Sequence, residues 1–139
     1  MSNKSEENSM AQIKRLPDAE LRVMQALWQA QGEATRPELD ELLRQDTDWS
    51  ATTVLNLLAR LETRGFVTRE KCGRGYRYRA LVTQEQYRQE ESQSVLTRLF
   101  GGSVKQFVAA LDGGNALSKS DVEELSAYLD ELQKRGDGR

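Results

Sequence analysis

The stretch "DWSATTVLNLLARLETRGF", residues 48–66, carries two different surfaces on one periodicity. Val54, Leu57, Leu58 and Leu61 recur at three- and four-residue intervals, the pattern of a helix with a single buried stripe. Ser50 stands where an N-cap would, its hydroxyl placed to accept from a first-turn N–H that has no helical partner, and Gly65 is a C-terminal stop. Projected at ~100° per residue, Thr52, Thr53, Asn56, Arg60 and Thr63 fall opposite the stripe, with no acid among them before Glu62. A helix that enters a DNA major groove needs short donors and acceptors near its N-terminus and cations farther along. Thr52, Thr53 and Asn56 meet the first need and are the expected base readers, while Arg60 meets the second as a backbone contact. The same Thr and Asn residues also suit a helix start that binds nothing.

Working outward, "LPDAELRVMQALWQAQG" reads as a preceding helix capped by Asp18, with Leu21, Met24, Leu27 and Trp28 at helical spacing and Gly32 as its stop. In "TRPELDELLRQ", Thr35 and Glu38 have capping-box spacing, Pro37 sits in the first turn, and Leu39, Leu42 and Leu43 form the buried stripe. After Gly65 the pattern changes to "FVTREKCGRGYRYRAL", in which Phe66, Val67, Tyr76 and Tyr78 flank the turn-forming "CGRG", a β-hairpin signature. Tyr76 and Tyr78 share one strand face and are expected in the core; Trp28 and Trp49 are expected to pack there too. The order of three helices and a basic hairpin predicts a mainly α chain containing a winged helix-turn-helix over residues 16–81. Ser50, Arg60, Arg69, Lys71, Arg74 and Arg77 are the expected backbone and wing contacts, Arg74 sitting between Gly73 and Gly75 at the hairpin tip. A hairpin studded with cations to keep its edge from aggregating has the same composition.

Charge is distributed unevenly along the 139 residues, whose formal net charge is -2. Residues 47–79 carry seven Lys/Arg against three Asp/Glu, whereas the segments before and after are both net acidic. A basic centre between acidic flanks suits a compact phosphate-facing surface. With no His and a single Cys, Cys72, one chain lacks the parts for zinc sites, His-based acid/base catalysis and thiolate clusters, so neither a metal, a cofactor nor an enzymatic role is expected. Cys72 lies among Lys71 and Arg74, cations that favour a thiolate, although one Cys in a basic turn also occurs by chance. No apolar run approaches the ~20 residues that cross a bilayer, and the polar start "MSNKSEENSMAQIKR" resembles no signal peptide, so a cytoplasmic location without membrane insertion is expected.

Residues 1–15 are expected to be a disordered tail, residues 82–135 a helical dimerisation region and residues 136–139 a frayed end. In that region Thr83 and Gln86 have capping-box spacing, "GGS" and "DGGN" break helices, and Ser118 caps a last helix with Asp121 and Glu123 at its start and Lys134 and Arg135 at its end. Leu99, Phe100, Phe107, Val108, Leu111, Val122, Leu125, Leu129 and Leu132 exceed what isolated helices leave in water, so they are the expected dimer interface.

The stretches "LPDAELRVMQALW", "WSATTVLNLLARLETRGFVTRE", "GRGYRYRALVTQEQY" and "LSKSDVEELSAYLDEL", in this order from about residue 16 to 133, resemble the penicillinase-repressor family, often called BlaI/MecI/CopY. That resemblance implies a homodimeric transcriptional repressor whose winged helix binds an inverted-repeat operator in double-stranded DNA and blocks transcription. By motif position it places Thr52, Thr53 and Asn56 among base readers, and Arg60 and Arg74 among backbone contacts. The cysteine-rich motif of the copper-responsive branch is missing from the ending "ELQKRGDGR". The β-lactam-responsive branch is cut at an Asn-Phe bond by a membrane-bound sensor protease, a further expected partner; the matching region here is Ala109-Ala110 in "KQFVAALDGG". The other function that fits the same residues is a winged-helix module whose basic hairpin binds an acidic protein.

Overall fold

Burial of the Val54, Leu57, Leu58 and Leu61 stripe organises the first half of the chain, where all four side chains are at most 5% exposed. The structure, a computed structural model, describes residues 13–137, so the expected tail over residues 1–12 and the last two residues lie outside the described part. The element order is α1 (Asp18–Gln29), β1 (Glu33–Thr35), α2 (Arg36–Leu43), α3 (Ala51–Thr63), β2 (Val67–Cys72), β3 (Gly75–Ala80), α4 (Gln84–Phe100), α5 (Val104–Gly113) and α6 (Lys119–Asp137). The three helices and hairpin predicted from the sequence are present, and with β1 they form a winged helix built on a three-stranded antiparallel sheet of order β1-β3-β2.

Local chemistry explains most of the boundaries. At α2, the Thr35 N–H donates to Glu38 Oε1 (3.1 Å) and the Glu38 N–H donates to Thr35 Oγ1 (3.4 Å), a reciprocal capping box. The Thr53 N–H donates to Ser50 Oγ (3.1 Å) and caps α3. Gly65 adopts φ +81°, a left-handed conformation that costs a β-carbon-bearing residue, and it turns the chain so that the buried Phe66 donates its N–H to the Leu61 carbonyl (2.9 Å). The hairpin closes between Cys72 and Gly75 through two residues, with Gly73 at φ +61° as a tight primed turn requires of its first position.

Four expectations change. Asp18 does not cap α1: it is the first helical residue, behind Pro17, and no side chain bonds that end, so its charge assists only through the helix dipole. The sequence reading had no β1; Glu33, Ala34 and Thr35 pair with Arg79, Tyr78 and Arg77. Tyr78 is 4% exposed in the core as expected, but Tyr76 is 39% exposed, because two residues nearer the hairpin tip the strand has passed the edge of the core. At the chain's ends, Ile13 packs on the core and α6 continues through Gly136 to Asp137.

The described chain divides into two units, one ending at Ser92 and the other starting at Gln93. The first therefore reaches past residue 81 into α4, because Tyr87 is buried between Trp28 and Phe66 (ring centroids 5.8 and 6.0 Å apart) and accepts from the Leu16 N–H through its hydroxyl (2.9 Å). Trp28 is held in turn by its Nε1–H, which donates to the Val82 carbonyl (2.9 Å), and Trp49 packs against the same core. In the second unit α4 continues to Phe100, whose ring lies 5.2 Å from that of Phe107, and Ser103 caps α5.

One polar group is buried in the first unit's core among the described residues. Glu20 of α1 is 2% exposed, and its Oε1 accepts from Arg64 Nε (2.6 Å) at the end of α3. Removing the guanidinium would strand a desolvated carboxylate. Arg64→Ala is expected to lower unfolding free energy by about 2 kcal/mol, less than a fully enclosed pair because the arginine side chain is 41% exposed. Urea denaturation checks this, with Arg64→Ala costing clearly less in a Glu20→Gln background.

Candidate nucleic-acid interface

With its stripe buried, α3 presents the other side to solvent. Ala51, Thr52, Leu55, Asn56, Ala59, Arg60 and Thr63 are all exposed. On the helical projection Thr52, Asn56, Ala59 and Thr63 lie within ~30° of the direction opposite the stripe, while Leu55 and Arg60 lie ~70° to either side. Thr53 lies at the margin and is half-buried; its Oγ1 is 3.1 Å from Ser50 Oγ, so the two hydroxyls face each other at the cap. Thr63 donates its hydroxyl back to the Ala59 carbonyl (3.1 Å). Thr52 and Asn56 are thus the side chains with uncommitted hydrogen-bonding groups at the centre of this face among the described residues.

The hairpin cations separate into two groups. Arg69 Nε is 3.5 Å from Glu62 Oε1, and its guanidinium lies 4.4 Å from the Tyr76 ring centroid. Arg77 Nη2 is 3.7 Å from Glu38 Oε1, and Arg79 Nη2 is 3.3 Å from Glu33 Oε1 and 3.8 Å from Glu70 Oε2. Arg60, Lys71 and Arg74 have no acidic partner among the described residues. The paired arginines remain solvent-accessible, and exposed ion pairs are worth at most about 1 kcal/mol, so a phosphate can replace the acid. Of the expected contacts, Arg60 on α3 and Lys71 and Arg74 at the hairpin tip therefore offer free charge, while Arg69 and Arg77 must exchange partners.

Between α3 and the hairpin runs a groove of about 500 Å³ lined by Thr35, Arg36, Pro37, Leu55, Cys72, Arg74, Gly75, Tyr76 and Tyr78. Its wall brings the first turn of α2, the outer flank of α3 and the hairpin tip together. The sequence reading missed Leu55, Arg36 and Pro37 here. For Leu55 a signal existed: it is the one leucine of α3 off the buried stripe, and it is 44% exposed. Cys72 is exposed on the same wall. No group of three or more His, Cys, Asp or Glu side chains that could hold a metal occurs among the described residues.

This geometry is that of a reading helix with a wing, and residues 16–131 match the penicillinase repressor family over most of the chain. The chain belongs to that family. The penicillinase repressor of Bacillus licheniformis is 30% identical over 91% of this chain and 98% of its own length. The methicillin resistance regulatory protein MecI of Staphylococcus aureus is 27% identical over 82% of this chain and 92% of its own. A solution structure of the B. licheniformis BlaI monomer with the blaP half-operator is 29% identical and covers 54% of this chain and 90% of that one, with a TM-score of 0.46. Members of the family are transcriptional repressors that bind DNA, not enzymes.

One titrating group sits beside this interface. The Glu38 carboxyl is held below its ordinary value, first by the hydrogen bond from the Thr35 N–H, then by the Thr35 hydroxyl, with desolvation opposing them and Arg77 adding the weakest effect. A depressed carboxyl stabilises the fold fully above its unfolded value, 4.5, and loses that contribution as pH falls through the lower folded value. Melting temperature is expected to drop as the pH falls from 4.5 through that lower value. Thr35→Ala, which removes the hydroxyl that caps α2, should make this acid-side drop shallower when measured by circular dichroism across the same range.

Proposed function

We propose that two copies of this DNA-binding transcriptional repressor grip an inverted-repeat operator and block transcription of a neighbouring gene. The observation that carries the reading is the outer face of α3, where Thr52 and Asn56 are exposed at the centre and the free cations Arg60, Lys71 and Arg74 stand on its margin and at the hairpin tip. Asn56 has the donor and acceptor to bond adenine bidentately, and Thr52 offers a hydroxyl and a methyl. Ser50, Arg60, Lys71 and Arg74 engage the backbone, and Arg69 and Arg77 join them on giving up Glu62 and Glu38. Thr53 contributes chiefly through the cap.

The second unit supports the homodimer. Of Leu99, Phe100, Phe107, Val108, Leu111, Val122, Leu125, Leu129 and Leu132, none is buried, and Val104 and Tyr128 add to the exposed apolar surface at 63% and 52% exposure. Apolar area on this scale calls for a partner face, and a second copy of the same helices supplies one with two-fold symmetry. No described helix is long and apolar enough to cross a membrane, which suits work on DNA in the cytoplasm. The relatives named for penicillinase and methicillin resistance make antibiotic-resistance genes the natural targets. A membrane-bound sensor protease would meet Ala109-Ala110 inside α5, both exposed, and would have to unwind that helix before cutting, since proteases act on extended backbone.

Duplexes selected from the source genome test the reading. Binding should weaken steeply from low to moderate salt as bound phosphates recover their counterions; a chain that bound no duplex even at low salt would instead be a protein-interaction module. Asn56→Ala is expected to lose at least about fivefold of the preference for the selected duplex over random DNA. Arg74→Ala should weaken both by a similar factor, measured by fluorescence anisotropy. For assembly, Leu129→Asp combined with Leu132→Asp should give a monomer by sedimentation with operator affinity much reduced.

A further inference from the structure

Leu55 is a reader of thymine methyl groups, we infer, and it sets the operator preference of this chain at one step that Asn56 does not reach. The inference rests on the DNA reading of α3. A leucine on the outside of a helix discards its transfer free energy unless something apolar covers it, and Leu55 stands 44% exposed on a helix whose other leucines are at most 5% exposed. The side chain is one turn after Ala51 and one turn before Ala59, both exposed, so the three make an apolar ridge along the outer surface. Polar Thr52 and Asn56 run beside that ridge one residue on.

The surroundings of Leu55 suit duplex DNA. Arg74 and the first turn of α2 lie across the same groove, where phosphates would pass, and no acidic side chain lines it. The major groove presents one apolar group to such a ridge, the C5-methyl of thymine. Cytosine has hydrogen at that carbon, and purines present hydrogen-bonding atoms. Leu55, ~100° around the helix from Asn56 toward the hairpin, would thus touch a base step next to the one that Asn56 bonds. An apolar ridge against a methyl excludes water from that step and disfavours C and G there.

Deoxyuridine isolates the contact, because it pairs as thymine does and lacks only the methyl. A duplex selected by the full-length protein from random-sequence DNA would carry thymine at a fixed half-site position. Exchanging that thymine for deoxyuridine should weaken wild-type binding about three- to tenfold, in line with one buried methyl at each half-site. Leu55→Ala should bind the thymine and deoxyuridine duplexes equally, while Thr52→Ser, which removes the Thr52 methyl, should keep the wild-type difference. A selected duplex whose thymines all tolerate deoxyuridine would overturn the assignment, as would a methyl effect that survives in Leu55→Ala or disappears in Thr52→Ser. Those outcomes leave operator binding itself in place; failure to select any duplex would instead remove the DNA reading beneath it.

Discussion

The rotation of α3 about its own axis is the constraint on which the rest depends. Four apolar side chains fix it, Val54, Leu57, Leu58 and Leu61, each worth roughly 1.5–3 kcal/mol when fully buried. Turning the helix by one residue would expose part of the stripe and drive Leu55 or Thr53 into the core. The Arg64 to Glu20 ion pair pins the far end against α1, so the axis is held as well as the rotation. Buried ion pairs add little net stability but tolerate few geometries, which makes this one a device for orientation. Helix α3 is consequently a rigid support, and the side chains on its outer face are free to be chosen for what they touch.

The charge balance makes sense only in the folded chain. Along the sequence, residues 47–79 are basic and their flanks acidic, which suggests a clean cationic surface. Folding brings Glu33 and Glu38 from the acidic flank alongside the hairpin, where β1 pairs with β3, and they occupy Arg79 and Arg77. The cations left over stand at the hairpin tip and on α3, beyond the reach of β1. Free charge is thus concentrated next to the residues proposed to read bases, while the root of the hairpin is neutralised and held in place by cross-strand pairs.

That difference also explains which parts of the molecule were legible beforehand. Four helix starts were, although the cap expected of Asp18 at α1 does not form, because a cap is a local matter: Thr35 with Glu38, Ser50 with Thr53, Thr83 with Gln86 and Ser118 with Asp121 are all three residues apart and all bond as the spacing implies. The buried stripe of α3 was legible for the same reason. Strand β1 was not, since three residues, Glu-Ala-Thr, have no periodicity and become a strand only because β3 is there to pair with them. The burial of Glu20 was not legible either, because its partner is 44 positions away. Tyr76 read as core because alternation gives a side chain its face but not the extent of the core beneath that face. Among the site residues, Thr52, Asn56 and Arg60 stand on the exposed face that periodicity assigned them, whereas the hydroxyl of Thr53 is engaged at the cap.

The two units differ in what they can hold up alone. The first has a continuous core running from Leu16 to Tyr87, with the Leu16 N–H hydrogen-bonded to the Tyr87 hydroxyl, so its two ends close on each other. The second has no such core: α5 buries no side chain, and neither do the described positions of α6. Short helices with this little burial are marginal in water, because packing rather than propensity supplies most of a helix's stability. In the proposed dimer the second copy supplies that packing, so association and folding of these helices are one equilibrium. Operator affinity is tied to it, since a winged helix on its own reaches a single half-site and gains nothing from the second. In the proposed dimer, any event that opens α5, whether cleavage, a competing partner or dilution, therefore acts on DNA binding without touching α3, which can stay intact while repression is lost.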